Sequence, residues 1–529
     1  MKKRIMCLLL AFCLLLTGCG GAKKEDTENI IDDNYRMYYE VFVYSFADSN
    51  GDGIGDLNGL TSKLDYIEDL GCNGIWLMPI MPSTTYHKYD VIDYYDIDEQ
   101  YGTMDDFKNL LAECDKRGIK VIIDFVFNHT STKNQWFVEA TDYLKMLKAD
   151  EEPDASVCPY VEYYNFSKEK KNASYYQVEG TDWYYEGVFW DQMPDLNLGC
   201  EKLREDIEEI ASYWLDLGVH GFRLDAAKEY YSGSTDKNIE VLSWFSNYVK
   251  SQKEDAYLVA EVWDSYTTIS NYYKSGIDSI FNYTFGNSDG QIIKALTRNG
   301  LGDAGGKISQ NIVTILNNFA GNNPNMIDAP FLSNHDTGRI AGFVSYDERK
   351  VKIAGAMNIL MSGSAFLYYG EELGMTGSGI DENKRAPMYW SADGSAEETT
   401  TAPPNMETVE HRFGSYEEQK DDENSIYNYY KQVIHLRNKY PLIGRGTVAA
   451  AEGEFDGNIY VYSKTYEGKT MYFFYNLAEE TKEVTLDSDC YKDTTLLETL
   501  TTSDEEVTYE SQKLSLPAFS VAIVGVEEE

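Results

Sequence analysis

A charged pair inside an apolar stretch is the first feature of this sequence that suggests chemistry. Residues 221–225 read Gly-Phe-Arg-Leu-Asp, the composition of a short buried strand. Alternate side chains of a strand point to opposite faces, so Arg223 and Asp225 share one face and Phe222 and Leu224 share the other. A buried Arg–Asp pair by itself is often structural. A functional interpretation therefore needs support from other parts of the chain.

Three more apolar runs end in acids, amides or histidines. They are residues 121–129, 257–263 and 330–336, which carry the polar residues Asp124, Asn128, His129, Glu261, Asn334, His335 and Asp336. Each of these side chains taken singly has an ordinary packing explanation. Their recurrence at the ends of four runs indicates one shared site.

Strand-like runs alternate with helical patterns from residue 40 onward. The strand-like runs are residues 41–45, 74–79, 121–128, 221–225, 257–262, 279–283, 330–334 and 365–369. Three of the helical patterns end at Gly71, Gly118 and Gly218, as helices often do. Eight strands alternating with helices predict an α/β fold, a (β/α)8 TIM barrel made of residues 35–129 and 200–444. Catalytic side chains of such barrels project from the carboxyl ends of the strands, where these polar residues fall.

Two segments do not fit the barrel pattern. Residues 130–199 are too long for an ordinary loop and rich in Tyr and Trp, so we interpret them as an inserted subdomain after strand 3 that forms one wall of a cleft. Residues 445–529 contain short β-rich runs separated by Gly and Asp turns. They predict a C-terminal antiparallel β-sandwich.

The four polar runs resemble, in order and residue type, the four conserved regions of the α-amylase family of glycoside hydrolases. The resemblance extends over about residues 35–525. It implies retaining hydrolysis, in which one carboxylate attacks the anomeric carbon and one protonated carboxyl donates to the leaving oxygen. Asp225, beside the cation Arg223, is then the nucleophile. Glu261, with apolar neighbours that tend to raise a carboxyl pKa, is the acid/base.

The resemblance also implies which side chains hold the sugar. The third acid, Asp336, would bind sugar hydroxyls and help to distort the ring. The histidines would contact the sugar at the cleavage point, and a Tyr-Asp pair in the run Tyr-His-Lys-Tyr-Asp would supply a stacking platform and a polar contact. The full set of implied substrate-binding residues is Tyr89, Asp90, His129, Arg223, Lys228, His335 and Arg385.

The prediction of which glycosidic bond is cleaved rests on smaller features of the sequence. Residues 192–197 resemble an additional conserved region, in a form between the oligo-1,6-glucosidase and neopullulanase types. Ala226 stands where strict α-1,6 enzymes tend to have Val, and Lys228 resembles the lysine with which α-amylases hold the sugar beyond the cleavage point. Residues 381–390 resemble the loop after the eighth strand of intermediate α-amylases. We therefore expect an endo-acting or maltogenic enzyme that cleaves α-1,4 bonds in starch-type glucans and maltooligosaccharides.

Other functions stay open at this point. An α-1,6-glucosidase or an α-glucosyl-transferring relative would use the same residues with a different acceptor pocket, and an isomerase of sucrose or trehalose would differ in the loops that exclude water. A non-catalytic glucan-binding surface protein or a transporter accessory subunit commonly lacks the catalytic acids. Asp225, Glu261 and Asp336 are all present here. Fold alone would not separate these functions.

A loop after the first predicted strand has the composition of a cation site. Residues 48–56 read Asp-Ser-Asn-Gly-Asp-Gly-Ile-Gly-Asp, with oxygen ligands at alternate positions around a glycine turn. An EF-hand needs a bidentate acid at position twelve, where Gly59 stands, so the loop is not an EF-hand. Its resemblance to a loop of oligo-1,6-glucosidases and intermediate α-amylases implies a structural Ca²⁺, and a metal-free Asp/Gly-rich turn is the alternative. The implied ligands are Asp48, Asn50, Asp52, Ile54 and Asp56.

The start of the chain reads as a secretion signal. Three basic residues at positions 2–4 precede twelve apolar residues at positions 5–16, fewer than the roughly 20 that span a membrane. The sequence Leu-Thr-Gly-Cys at residues 16–19 resembles a bacterial lipobox, which implies cleavage after residue 18 and a lipid on Cys19, with residues 19–34 as a flexible tether. We therefore expect an extracytoplasmic protein that is lipid-anchored to the bacterial cell membrane.

Charge and cysteine content limit the partners further. The formal net charge is −42, which disfavours nucleic acid and anionic lipid headgroups and suits a neutral α-glucan. We expect a monomer. Beyond Cys19 five cysteines follow, and an odd number cannot all pair within one chain. Cys158 and Cys200 bracket one irregular segment and are candidates for a disulfide, whereas Cys72 and Cys114 have the apolar surroundings of buried thiols.

Overall fold

The structure is a computed structural model that describes residues 33–148, 150–297 and 304–527. The predicted signal, the predicted lipid attachment at Cys19 and nearly all of the predicted tether lie outside these residues. Within them, no helix combines the length and the apolar character that crossing a membrane requires.

Seven parallel strands curl into one sheet. In spatial order they are Ser279–Ile280, Tyr257–Ala260, Gly221–Leu224, Lys120–Phe125, Gly74–Leu77, Met37–Val41 and Ala365–Tyr368. Barrel strands that follow one another in the chain lie side by side, as expected for strands joined by crossover helices, except that Ser279–Ile280 and Ala365–Tyr368 occupy the two edges.

Residues 328–330 close the gap between the two edges of this sheet. The amide of Asn282 donates to the carbonyl of Ala329 at 3.0 Å. On the other edge, Ser364 and Phe366 donate to the carbonyls of Asp328 and Pro330 at 2.8 and 2.9 Å. The predicted (β/α)8 TIM barrel is therefore confirmed, with one of its eight positions held by a few bonds and not by a full strand.

Two predicted strands lie elsewhere or are missing. The first strand is Met37–Val41 and not residues 41–45, because Val43–Phe46 forms a helical turn. Every residue of both segments is buried, so no polar alternation in the sequence located the strand. The predicted strand at residues 330–334 is not formed within the described chain. Pro330 lacks an N–H for a ladder, and the Asn334 side chain turns the chain by accepting the amides of Asp336 and Thr337 at 3.0 Å.

Helices surround the barrel and connect its strands. The longer ones are Leu57–Ser62, Leu64–Leu70, Met104–Lys116, Glu201–Leu217, Thr235–Gln252, Tyr266–Tyr272, Gln291–Thr297, Ala304–Asn322, Glu348–Ile359 and Ile426–Lys439. Short helical segments lie at Ile340–Phe343, Glu371–Leu373, Asp381–Lys384, Tyr416–Gln419 and Pro441–Arg445. Gly71 and Gly218 end their helices in the left-handed conformation, at φ 97° and 108°, which only glycine adopts readily.

The inserted segment leaves and rejoins the barrel at the same place. It contains the helix Gln135–Met146, the short helix Pro159–Glu162 and a hairpin of Tyr175–Gln177 with Tyr184–Glu186. On its return the amide of Leu196 donates to the carbonyl of Asn128 at 2.9 Å, directly after the third barrel strand. The two cysteines that were candidates for a disulfide, Cys158 and Cys200, are separate buried thiols.

The C-terminal region forms two antiparallel sheets. The larger contains Thr447–Ala449, Ile459–Tyr466, Lys469–Asn476, Val521–Gly525 and Thr495–Leu500, and the smaller contains Lys482–Thr485, Lys513–Leu516 and Thr508–Glu510. Apolar side chains of both sheets, such as Val461, Phe474 and Leu514, pack into a separate core. The predicted C-terminal antiparallel sheet domain is therefore present.

Gly221 is a glycine whose replacement tests how tightly the central strands are packed. A Cβ atom at this position would lie 1.9 Å from the carbonyl oxygen of Tyr257 on the neighbouring strand. Gly221→Ala should lower the free energy of unfolding by about 1–3 kcal/mol, because the two strands must separate. Urea denaturation measures this loss. Gly321→Ala, in the helix Ala304–Asn322 with nothing within 4 Å of its Cβ, is the control and should be neutral or slightly stabilising. Equal effects of the two changes would contradict this account.

Candidate active site

One buried guanidinium organises the carboxyl ends of three neighbouring strands. Arg223 is 1% exposed. Its Nη1 lies 2.8 Å from Oδ1 of Asp124 and 2.6 Å from Oδ1 of Asp225, and its Nη2 lies 2.7 Å from Oε2 of Glu261. The pairing register sets Asp124 beside Arg223, while Asp225 and Glu261 directly follow their strands. A group that is charged at all pH values of interest therefore holds the two predicted catalytic acids.

The backbone after Asp225 brings these acids closer. Ala226 has a positive φ of 46°, a conformation that costs free energy in a residue with a side chain. In return its amide donates to Oε2 of Glu261 at 3.1 Å. The next amide, of Ala227, donates to the main-chain carbonyl of Glu261 at 3.1 Å. The strained turn thus ties the ends of the two strands together.

The surroundings of Glu261 favour its protonated form. Burial raises the pKa of this carboxyl, Arg223 opposes the rise, and the nearby negative charges of Asp225 and Asp336 add to it. A raised pKa shifts a carboxyl toward the protonated form that a general acid requires. The sequence-based assignment of Glu261 as acid/base is compatible with this environment.

A second charged group lies across the site from Arg223. His335 is fully buried, with Nδ1 2.6 Å from Oε1 of Glu40 and Nε2 3.0 Å from Oδ2 of Asp336. Burial alone would lower the pKa of this imidazole, but Asp336 and Glu40 raise it to about 9. Arg385 completes the group, with Nη2 2.8 Å from Oδ1 of Asp336. Burial would raise the pKa of Asp336, yet His335 and Arg385 hold it well below its usual range.

Tyr89 connects the two charged groups. Its hydroxyl donates to Oδ2 of Asp124 at 3.0 Å and lies 2.7 Å from Nε2 of His335. Its ring stacks on the imidazole of His335 with centroids 5.5 Å apart. The ring also lines the cleft, where the sequence had predicted a stacking platform.

A cleft of about 300 Å³ opens above these residues. It is lined by His87, Tyr89, His129, Phe189, Met193, Asp225, Ala226, Lys228, Glu229, Glu261, Trp263, Asp336, Asp381 and Arg385. Phe189 and Met193 belong to the inserted segment, which therefore forms a wall of the cleft. Both predicted catalytic acids, Asp225 and Glu261, line this cleft.

The remaining predicted residues take different positions. His129 lines the cleft and is buried, which lowers the pKa of its ring. Lys228 also lines it, with Nζ 3.0 Å from Oδ2 of Asp264 and 3.3 Å from the carbonyl of Trp263. Asp90 does not contribute to the described lining. It is fully buried and accepts hydrogen bonds from four hydroxyl groups, those of Ser83, Thr84, Thr85 and Ser131. Its carboxylate fixes the loop that carries Tyr89.

Several residues of the site were not assigned from the sequence. Asp124 stands in the run 121–129, on the strand face that also carries the charged side chain of its neighbour Arg223. Glu40 is a lone acid inside the first strand. The predicted strand began at residue 41, so the sequence did not indicate toward which face the side chain of Glu40 points. Phe189 and Asp381 reach the cleft from irregular segments, for which the sequence has no periodic signal.

The predicted cation loop is folded around its own side chains. Asp48 accepts the amides of Asn50, Gly51 and Gly53 at 2.7–2.9 Å, and Asp52 accepts the amide of Ile54 at 2.8 Å. Nowhere in the described chain do three or more His, Cys, Asp or Glu side chains gather as a metal cluster. The loop does offer carboxylate, amide and carbonyl oxygens, which suit a hard cation such as Ca²⁺. No described lysine or arginine pairs with its acids.

Comparison with known proteins gives the class of this barrel and cleft. Residues 40–446 match the family "Alpha amylase, catalytic domain". Alpha-amylase 3 of Dictyoglomus thermophilum is 39% identical over 90% of each chain. The structure of Eubacterium rectale Amy13B has a TM-score of 0.91, with 47% identity over 94% of this chain and 97% of that one. An α-amylase from H. orenii has a TM-score of 0.80 and 34% identity over 94% of this chain and all of its own.

This chain therefore belongs to the alpha-amylase family. It is a glycoside hydrolase of that family. More distant relatives, each 28% identical, are named oligo-1,6-glucosidase and 4-alpha-glucanotransferase. Membership alone consequently leaves the linkage and the acceptor undefined.

The raised pKa of His335 predicts how stability depends on pH. An imidazole with a folded pKa near 9 and an unfolded pKa near 6.5 stabilises the protein fully below about pH 6.5 and loses that effect as pH rises through 9. The free energy of unfolding should therefore fall by roughly 3 kcal/mol over this interval. Urea denaturation at pH 6.5, 7.5 and 9 measures it. His335→Gln should abolish most of the fall and His435→Gln should retain it, whereas an unchanged slope in His335→Gln would contradict the assignment.

Proposed function

We propose that this protein hydrolyses α-1,4-glucosidic bonds in starch-type glucans and maltooligosaccharides with retention of configuration. The observation that carries the proposal is the sharing of one guanidinium, that of Arg223, between Asp225 and Glu261 at 2.6 and 2.7 Å. Two carboxyl groups on one guanidinium are close neighbours. Retaining enzymes need their two carboxyl groups about 5–5.5 Å apart, and inverting enzymes need a wider gap for water.

In the proposed reaction the two acids act in turn. A carboxylate oxygen of Asp225 forms a bond to the anomeric carbon while the glycosidic bond breaks, and the proton of Glu261 moves to the leaving oxygen. Water then attacks the same carbon, gives its proton back to Glu261 and releases Asp225. Glu261 is protonated in the first step and ionised in the second, and its raised pKa favours the protonated form that the first step needs.

The charged group around His335 is proposed to hold the sugar during these steps. His335 carries a positive charge at neutral pH because its pKa is raised to about 9, and Asp336 is an ionised acceptor. Asp336 lines the cleft, and its orientation is fixed by the buried His335 and by Arg385. A fixed, ionised carboxylate at this position favours a transition state with developing positive charge on the ring.

The preference for α-1,4 bonds rests on two cleft residues and on similarity. Ala226 and Lys228 both line the cleft, where the sequence analysis associated them with α-1,4 cleavage. A relative at 39% identity is named an alpha-amylase, whereas those named for 1,6-bonds or for transfer are 28% identical. Hydrolysis of α-1,6 bonds and glucosyl transfer are therefore the alternatives that an experiment must separate.

Product analysis separates these activities. The purified protein without its predicted signal should release maltooligosaccharides from amylose and no glucose from isomaltotriose, and NMR should show α-anomeric products first. Asp225→Asn should lose about four or more orders of magnitude in kcat with its melting temperature retained, because the nucleophile is removed. Cleavage of isomaltotriose but not of amylose would contradict the proposal and indicate an α-1,6-glucosidase. Products longer than the substrate would indicate glucosyl transfer. Substantial turnover by clean Asp225→Asn protein would remove that residue from its role.

We also propose that the loop at residues 48–56 binds a structural Ca²⁺ and that Cys19 carries a lipid anchoring the protein outside the bacterial cell membrane. In support of the first, the loop is held against residues 398–401, since the amide of Thr401 donates to the carbonyl of Gly53 at 2.7 Å. A cation there would stabilise two segments at once. The second rests on the lipobox-like sequence at residues 16–19.

Chelation tests the cation site. EDTA should lower the melting temperature by roughly 2 °C or more, and added Ca²⁺ should restore it, because a ligand that binds only the folded state stabilises it. Asp52→Asn keeps the side-chain oxygen that accepts the amide of Ile54 but removes the charge, so this variant should lose most of its response to EDTA. Asp393→Asn, in an exposed turn elsewhere, is the matched control. A wild-type melting curve that EDTA leaves unchanged would count against bound calcium.

A further inference from the structure

A second cavity continues the catalytic cleft in one direction. It measures about 680 Å³ and shares His87, Asp381 and Arg385 with the cleft. It shares neither Glu261 nor Trp263. The two spaces therefore join on the side of Asp336 and its partner Arg385, away from the acid/base.

The position of the acid/base, Glu261, indicates toward which end of a bound glucan chain the second cavity lies. Glu261 must reach the leaving oxygen, so the leaving part of the substrate lies on its side of the cleft. Lys228 and Trp263 belong to that side, because Lys228 donates to the carbonyl of Trp263, two residues after the acid. The second cavity lies on the opposite side, where the glycosyl group that is transferred to Asp225 continues toward its non-reducing end.

The walls of the second cavity combine apolar surface with hydrogen-bonding groups. Trp190, from the inserted segment, is 45% exposed, and Ile380, from the region after the last barrel strand, is 41% exposed. Thr85 and Asn405 add polar groups to the same space. Within the described residues no other aromatic ring stacks on the indole of Trp190. A glucose ring has apolar C–H faces and a polar edge, so this lining matches it on both counts.

The charges of the cavity indicate a neutral ligand. Asp381 and Glu382 contribute carboxylates to the lining. The cation Arg385 is already bonded to Asp336 and to the hydroxyl of Tyr86. Burial, with the help of Arg385, lowers the pKa of His87 to about 4, so this ring is uncharged at neutral pH. A phosphorylated sugar would meet two carboxylates and no free cation among the described lining residues.

We propose that Trp190 is a specificity-determining residue that stacks on glucose units of an α-glucan on the non-reducing side of the cleaved bond. This inference rests on the proposed α-1,4 activity and deepens it. A cleft with sugar-binding surface both at Trp190 and at the exposed Trp263 accommodates a chain that passes through it. Such an enzyme cuts bonds inside glucan chains, and its efficiency depends on how many units lie toward Trp190.

A series of 4-nitrophenyl α-maltooligosides with one to six glucose units tests the proposal. In each substrate the chromophore is on the leaving side, so added glucose units extend toward Trp190. Wild-type kcat/KM should rise with chain length and then level off. Trp190→Ala should lower kcat/KM about tenfold for the longer substrates and less than about twofold for the shortest, as expected for loss of one aromatic stacking contact. Trp190→Phe, which keeps an aromatic face, should recover most of the loss.

One control variant, together with the substrate series, distinguishes the possible outcomes. Tyr95→Ala removes a similarly exposed aromatic side chain that lines neither cavity, and it should leave the whole series unchanged. Wild-type turnover with a length dependence that Trp190→Ala does not alter would overturn the role of Trp190 and leave the proposed function intact. An equal loss on the shortest and longest substrates would also overturn it, since it indicates damage to the catalytic centre. No wild-type turnover of any maltoside would overturn the α-1,4 proposal itself.

Discussion

The buried guanidinium of Arg223 is the interaction on which the site depends. It is fully removed from water and contacts the carboxyl groups of Asp124, Asp225 and Glu261. An isolated buried charge of either sign would be very costly, so neither the arginine nor the acids would be tolerated there without the others. The three adjacent strands that carry them must therefore keep their register, because a shift of one residue would turn these side chains to the other face.

Charge balance supports the proposed role of Glu261 as the acid catalyst. Five carboxyl groups, those of Glu40, Asp124, Asp225, Glu261 and Asp336, meet three cations, those of Arg223, His335 and Arg385. The surplus of negative charge in a buried space favours retention of protons. Burial raises the pKa of Glu261, whereas Asp336, placed between two cations, keeps its charge. Different neighbours thus give similar side chains different roles.

Much of the barrel and of the candidate site could be predicted from the sequence. The barrel was predictable because strand and helix periodicities alternate regularly, and the acids were predictable because each follows an apolar run. The role of Asp90 was not, because its burial beneath four hydroxyl groups depends on a loop without periodicity. The first strand was misplaced because both it and the helical turn after it are buried throughout and show no alternation of polar and apolar residues. The second cavity depends on Trp190 and Ile380, which are 190 residues apart and meet only in the folded chain.

The way in which residues 328–330 close the barrel makes the C-terminal sheets important for its stability. This short segment holds the two edges of the sheet together with few main-chain bonds, so it is the seam at which the barrel has least intrinsic cohesion. The helix before it, Ala304–Asn322, is attached to the C-terminal region: the amide of Gly305 donates to the carbonyl of Gly457 at 2.7 Å, and the hydroxyl of Ser309 accepts the amide of Val461 at 2.9 Å. The C-terminal sheets thus hold the helix that leads into this segment, so barrel and sheets should unfold as one cooperative unit.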